Sequence, residues 1–248
     1  LDECGVCNGP GPTEVVIESI TILYDSLYAE QIDEWWVFEI GADTVFNYTC
    51  APYFGDCGDL VSHDGYDYRT VLIGEQCWFA ENCRYLPEVS PSSEGSETDP
   101  YYYVYGYEGS TVSEAQATSN YETYGVLYNW PAVMTEGICP SGWHIPSDGE
   151  WQTMEISLGM SEAEAASEGL RGTDEGLKMK DDVQWNGSNS SGFTGLPGGS
   201  RYSGGFISNG NDGYWWSASE ISESWRCVLY YFNDDLSRSY DYSHYNGY

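Results

Sequence analysis

The chain has 248 residues, with 40 acidic side chains against 8 basic ones, so its formal charge at neutral pH is −32. That balance excludes a nucleic-acid binder, which needs Lys and Arg for phosphates, and an anionic membrane surface as partner. Hydrophobic residues make up 41% and aromatic residues 16%, including 23 Tyr and 10 Trp, which excludes a disordered acidic tail. The length suffices for one substantial core, or one core plus a small module.

The acids are spread along the chain, which reads as a solvated exterior, with calcium binding as the sharper alternative. So many Tyr suit contact surfaces, because Tyr offers large area at low entropy cost; they equally suit the edges of a β-rich core. The 8 cysteines, without a helical redox motif, point to an oxidising compartment and a secreted or cell-surface location. No apolar run approaches the length of a membrane span, so no membrane insertion is expected. The start at Leu1-Asp2-Glu3-Cys4, without Met or signal peptide, reads as a processed or truncated piece of a secreted protein.

In chain order, residues 1–12 form a Gly/Pro/Cys turn segment. The run Leu1 to Gly11 resembles the Asp-Glu-Cys-Gly-Val-Cys repeats, related to thrombospondin type 3 repeats, of long secreted bacterial proteins. Such repeats often bind calcium through Asp; here only Asp2 and Glu3 could contribute. Cys4 and Cys7 suit neither zinc, for want of further ligands, nor covalent haem, because Asn8 follows where a His is needed. Residues 14–24 are β-branched and read as a strand, and 34–50 as strand, turn at Gly41-Ala-Asp43, strand. Residues 13–60 are therefore expected to be a small β module or an extension of the main sheet.

From residue 61 onward a second domain is expected to run to Tyr248. Tyr68–Ile73 reads as a strand and Gly74-Glu-Gln as a turn. Residues 88–100 read as an exposed loop, Tyr101–Tyr105 as an aromatic strand. Ser147 and Glu150 form a capping box that opens a helix with Trp151, Met154 and Leu158 on one face, stopped at Gly159. Ser161 and Glu164 open a second, expected to reach about Leu170; beyond it no helix signal follows.

Three cysteine pairs lie close in sequence, Cys4/Cys7, Cys50/Cys57 and Cys77/Cys83, and local disulfides are the simplest expectation; Cys139 and Cys227 are left over.

The blocks Tyr68–Asn82, Tyr124–Trp130, Cys139–Trp151, Gly192–Arg201 and Gly213–Ser219 resemble, in order, the Fibrobacter succinogenes major paralogous domain, a secreted module of Bacteroidota-type bacteria. The resemblance covers about three quarters of the chain. It implies an α+β, C-type lectin-like domain: twisted antiparallel sheets, two short helices and long loops. Trp143–Trp151 is similar to the Arg-Leu-Pro-Thr-x-Ala-Glu-Trp block of formylglycine-generating enzymes. By that likeness Trp143 and Trp151 are core anchors, and Trp215 and Trp216 lie on opposite faces of a strand. The family usually continues with Ser-Val-Arg-Cys after the position of Tyr248, so a partner of Cys139 or Cys227 is expected to be missing. Family members commonly carry another residue where Cys227 stands.

Catalysis has little to stand on. Formylglycine-generating enzymes use a Cys pair with copper, and here Cys227 has no second Cys nearby in sequence. His144 is expected to be packed rather than catalytic. There is no Gly-x-Ser-x-Gly elbow and no phosphate loop, and no carboxylate pair stands out among so many. A Ser/His/Asp triad stays open.

Binding is better supported. Residues 219–248 mix rigid aromatics with small polar groups, as paratopes do, and resemble the variable regions of diversity-generating retroelement proteins. Val228, Leu229 and Phe232 are expected to anchor strands. The expected ligand contacts are Trp225, Tyr230, Asn233, Asp235, Arg238, Tyr240, Tyr242, His244 and Asn246, toward a protein or glycan at the cell exterior. A solvated hairpin is the plain alternative. Two further readings are a structural subunit of a surface appendage, which would self-associate, and a formylglycine-type oxidase. Asp64, Asp67 and Asp212, in Gly-rich loops, are the expected calcium ligands, with ordinary Asx turns as the alternative. Sequons begin at Asn47, Asn186 and Asn189 and are expected to be unused in a bacterium.

Overall fold

The computed structural model describes residues 57–220, 224–241 and 244–248, and the backbone of four strands between residues 15 and 50. The chain divides into two compact units, Leu1–Phe54 and Gly55–Tyr248. The expected repeat remnant at 1–12 lies outside the described residues.

In the first unit, β1 (Val15–Thr21) pairs antiparallel with β4 (Val45–Cys50), and β2 (Leu27–Ile32) with β3 (Trp35–Ile40). The two expected strands of 34–50 therefore pair with other strands rather than with each other. The β1–β4 register shifts between Ile17 and Ser19, a bulge.

The second unit opens with two tight hairpins. β5 (Val61–His63) and β6 (Tyr66–Tyr68) are joined by Asp64-Gly65, both with positive φ, 48° and 78°. This is the backbone a two-residue hairpin turn demands, and Asp-Gly supplies it. β7 (Thr70–Ile73) and β8 (Gln76–Phe79) follow around Gly74-Glu75. The single strand expected over Tyr68–Ile73 is thus split at Arg69. β9 (Tyr102–Tyr103) and β10 (Leu127–Tyr128) form a two-residue ladder between which lie α1 (Val112–Gln116) and α2 (Ser119–Tyr124). α3 (Trp130–Val133) begins at an Asn129 cap, whose side chain accepts from Ala132 N at 3.1 Å.

α4 (Asp148–Leu158) carries the expected capping box: the Ser147 hydroxyl accepts from Glu150 N, and Glu150 accepts from Ser147 N. Trp151 and Met154 bury one face, and Gly159, at φ 128°, ends the helix. α5 (Glu162–Ala165) also has its capping box but stops well short of Leu170. The helix ends at Ala165 with Ala166 as its cap, and Gly169, at φ 81°, opens β11 (Gly169–Arg171). Propensity for helix loses to the hydrogen bonds available on a sheet edge. α6 (Glu175–Met179), which the sequence did not announce, follows. β12 (Ser200–Tyr202) and β13 (Gly205–Ile207) make a small hairpin.

The main sheet is antiparallel, with order β11-β16-β15-β14, where β14 is Asp212–Glu220, β15 Ser224–Tyr230 and β16 Leu236–Asp241. One apolar cluster joins Cys227, Leu229 and Leu236 of this sheet to Trp151 and Met154 of α4 and to Trp78. A second joins Trp216 to Val104, Tyr128, Val133 and Tyr248. Trp215 packs on the first cluster and Trp216 belongs to the second, so the two occupy opposite faces as strand alternation requires. Met154, Leu229 and Leu236 are wholly buried, each stabilising by about 1.5–3 kcal/mol. Trp151 is the expected core anchor, while Trp143 is only half-buried, its ring 4.6 Å from Phe79.

The expected exposed loop at 88–100 is partly core: Val89 and Ser92 are buried. Ser92 donates from N and Oγ to the Glu108 carboxylate at 2.8 Å each, and its carbonyl accepts from Arg201 Nε at 2.8 Å.

The cysteine pairing differs from the local one. Cys57 is bonded to Cys77, 20 residues on, with Cα atoms 5.8 Å apart. Neighbouring contacts explain it: Gly58 N donates to Thr70 Oγ1 (2.8 Å), and that hydroxyl donates to Asp59 O (2.9 Å), laying residues 57–59 along the β7–β8 hairpin that returns Cys77. Cys57 is therefore not paired with Cys50, nor Cys77 with Cys83, which keeps a free thiol. The Cys4 and Cys7 pair lies outside the described residues.

Candidate ligand surface on the β15–β16 hairpin

The turn joining β15 to β16 carries Tyr230, Tyr231 and Phe232 in succession. Tyr231 is 58% exposed and Phe232 63% exposed, among the largest apolar exposures in the described residues. The Phe232 ring stacks at 5.2 Å on Tyr230 and meets Tyr231 edge-on at 5.8 Å. The three rings thus support one another rather than burying separately. Phe232 was expected to anchor a strand; instead the strand ends at Tyr230 and the ring stands at the turn. The Asn233-Asp-Asp run after it is the turn signal that could have shown this.

The turn is clamped from beneath. The wholly buried Lys180 ammonium donates to the Asn233 carbonyl, and Leu177 N donates to Asp234 O at 3.1 Å. Gly176 packs so close that a Cβ would meet the carbonyl oxygens of Asp235 and Asp234 at 2.5 and 2.6 Å. Burial pulls the Lys180 ammonium below its usual value, and Asp234, Asp235 and Asp212 partly oppose it. The aromatic turn is therefore ringed by carboxylates over one buried cation.

The other expected contacts divide. Tyr230 is half-buried opposite Asp212, and Asp235 is half-buried beside the turn. Trp225 and Tyr240 face each other across β15 and β16, rings 5.4 Å apart and edge-on. Arg238 lies 3.8 Å over Trp225 and donates from Nε and Nη2 to the Asp148 carboxylate at 2.6 and 2.7 Å. It serves the α4 N-terminus more than the surface. Asn246 is buried, donating to Asp241 at 3.0 Å. His244 is half-buried against Trp130, rings 4.7 Å apart. Tyr242 lies outside the described residues. The nine residues are not one patch: two are scaffold, and the aromatic turn adds Tyr231 and Phe232.

The expected calcium ligands are not gathered. Among the described residues no group of three or more His, Cys, Asp or Glu is arranged to hold a metal. Asp64 is the first residue of a hairpin turn, Asp67 accepts from the Ser62 hydroxyl, and Asp212 accepts from the Tyr214 hydroxyl at 3.4 Å. The Asp-Gly pattern serves backbone geometry here.

His144 is exposed rather than packed. Its Nε2 meets Glu150 Oε1 at 2.7 Å, and Ser147 Oγ donates to Glu150 Oε2 at 2.7 Å. The carboxylate stands between Ser and His, so His144 does not reach the Ser147 hydroxyl as a base would. Hydrogen bonding to Glu150 raises His144 above its usual value. Burial would raise Glu150, but hydrogen bonds from His144 and Ser147 bring it down to about 2.

Cys227 is buried between Trp215 and Arg238 in the ladder, and burial pushes its thiol far up. Beside it Glu155 and Arg171 form a buried ion pair at 2.5 Å, in a nest also lined by Asp148, Arg226 and Arg238. Glu155 Oε1 and Arg171 Nη1 make no hydrogen bond. A thiol held protonated is a poor nucleophile or metal ligand.

The family model described as the Fibrobacter succinogenes major domain matches residues 71–246. The chain belongs to this family. The match to the Fibrobacter succinogenes major domain takes in both apolar clusters' sheet strands and the aromatic turn. Neither a curated protein nor a solved structure matches the chain. No helix of the described residues is long and apolar enough to cross a membrane.

Proposed function

We propose that this domain is an extracellular, non-catalytic binding or adhesion module of C-type lectin-like architecture, and that Tyr230, Tyr231 and Phe232 lead its contact with a protein or glycan. The observation that carries this reading is an exposed aromatic ridge on a clamped turn. Tyr231 and Phe232 are more than half exposed, yet the backbone under them is tied to Lys180 and Leu177. Exposed aromatic surface that is already ordered binds without a large loss of chain entropy. The antiparallel sheet with a capped helix against one face supports the lectin-like architecture, and the Cys57–Cys77 disulfide supports an exterior location.

The test is a glycan array and a set of surface polysaccharides probed with the wild type and with Tyr231→Ser/Phe232→Ser. Both rings are exposed, so the double change is expected to leave the thermal midpoint within about 2 °C while weakening binding about tenfold or more. Binding that the double change leaves intact would sink the role of the ridge.

A further inference from the structure

With Cys57 and Cys77 joined, the free thiols among the described residues are Cys83, Cys139 and Cys227. Cys227 belongs to the apolar cluster around Trp151 and Met154. Cys83 and Cys139 both pack against the other cluster, around Val133 and Ile138. The Cys83 sulfur lies 3.9 Å from the carbonyl oxygen of Ile138, the residue bonded to Cys139. Both backbones are held in place: Cys83 O accepts from Val126 N at 3.1 Å, and Arg84 N donates to the Tyr68 hydroxyl at 2.9 Å. On the other side Ile138 is buried and its N–H points to Thr135 O at 3.4 Å. Burial, then the charge of the neighbouring Cys83, pushes the Cys139 thiol up to about 12.

We propose that Cys83 and Cys139 are a second oxidation site and close a disulfide in the mature domain. One sulfur, as thiolate, attacks the disulfide of a thiol–disulfide oxidant and releases one thiol of it. The other then displaces the second thiol and forms the Cys83–Cys139 bond. Two protons and two electrons leave the cysteines, and the oxidant's disulfide is reduced to two thiols. Burial disfavours the thiolate of both groups, so this exchange is slow once the domain has closed. The bond therefore forms while the chain folds, and afterwards the same burial shields it from reductants. It would tie the end of the β7–β8 hairpin to the loop that leads into α4. The local Cys77/Cys83 pairing of the sequence is then replaced by two longer-range bonds.

The experiment refolds the full, reduced wild-type chain in a mixture of oxidised and reduced glutathione. Remaining thiols are alkylated under denaturing conditions and the protein is digested without reduction for mass spectrometry. The expected result is a linked peptide pair carrying Cys83 and Cys139, with Cys227 alkylated. The thermal midpoint of this form should lie about 5–10 °C above that of a form holding only Cys57–Cys77. Two outcomes overturn the proposal: Cys83 and Cys139 both alkylated in protein whose Cys57–Cys77 bond is closed, or Cys139 linked to any other cysteine. Native reduced protein given the same oxidant should form the bond at least about tenfold more slowly than refolding protein.

Discussion

The guanidinium carbon of Arg201 sits 3.8 Å from the ring centroid of Tyr245, and its Nη1 donates to the Tyr245 carbonyl at 2.8 Å. The same wholly buried side chain donates from Nε to Ser92 O and from Nη2 to Glu94 O. One planar fork therefore fastens the 88–100 loop and the C-terminal segment to β12. Three carbonyls in different directions, with an aromatic face above, suit Arg and not the point charge of Lys. Arg201→Lys is expected to destabilise the domain by about 2–4 kcal/mol, because it leaves carbonyls buried and unpaired. Urea unfolding at neutral pH measures this, and a loss below about 0.5 kcal/mol would show that the fork is not needed.

Glu155 makes stability depend on pH. Burial raises its carboxyl to about 7 from an ordinary 4.5, and the Arg171 guanidinium only partly offsets that. A carboxyl whose folded value is raised favours the folded state when protonated. Its contribution is complete below 4.5 and is lost as pH rises to about 7. Glu155→Gln keeps the shape and removes the titration, so stability measured from pH 4.5 to 8 should fall less steeply in this variant. The whole acidic surface repels itself more at high pH in both proteins, so only the difference between them reports Glu155. Parallel curves would refute the assignment.

At the α4 N-terminus the signs are mixed. Glu150, lowered to about 2, supports folding above 4.5 and loses that contribution as pH falls toward 2. His144, raised above 6.5, contributes fully below 6.5 and loses it as pH rises through its folded value. An NMR titration of His144 should show a midpoint above 6.5 in the wild type that drops in Glu150→Gln. Ser147→Ala should lower stability by about 1 kcal/mol through loss of the cap.

Gly176 is required by close approach. A Cβ there would meet two backbone oxygens of the hairpin turn, and neither can swing aside as a side-chain end would. Gly176→Ala should cost about 1–3 kcal/mol and displace the aromatic ridge. Binding through the ridge should therefore weaken even though residue 176 touches no ligand. Unchanged melting in calorimetry would contradict the packing.

Local chemistry was legible in the sequence wherever a few neighbouring residues suffice. Both capping boxes belong to this class, while the opposite faces of Trp215 and Trp216 followed from the family likeness and strand alternation. Elements held only by distant partners were not legible. α6 and β10 are too short to form on propensity, and their neighbours in space supply the stability, whereas β9 falls inside the aromatic strand expected over Tyr101–Tyr105. Phe232 read as an anchor because it is apolar, although the Asn233-Asp-Asp turn signal just after it already marks the end of the strand at Tyr230. The candidate surface was half legible: the hairpin was located, while Arg238 and Asn246 prove to hold the scaffold.

The family, the antiparallel α+β character and the two capped helices were written in the sequence itself, because each rests on contacts within a few residues or on a run of matching blocks. Tertiary structure alone decided that Cys57 meets Cys77, that Arg201 and Lys180 are buried among carbonyls, and that Tyr231 and Phe232 face outward. The physical reason is the same in each case. Sequence spacing ranks partners by closeness along the chain, whereas a disulfide, a buried cation and an exposed ring are settled by which groups the packed sheets bring together in space.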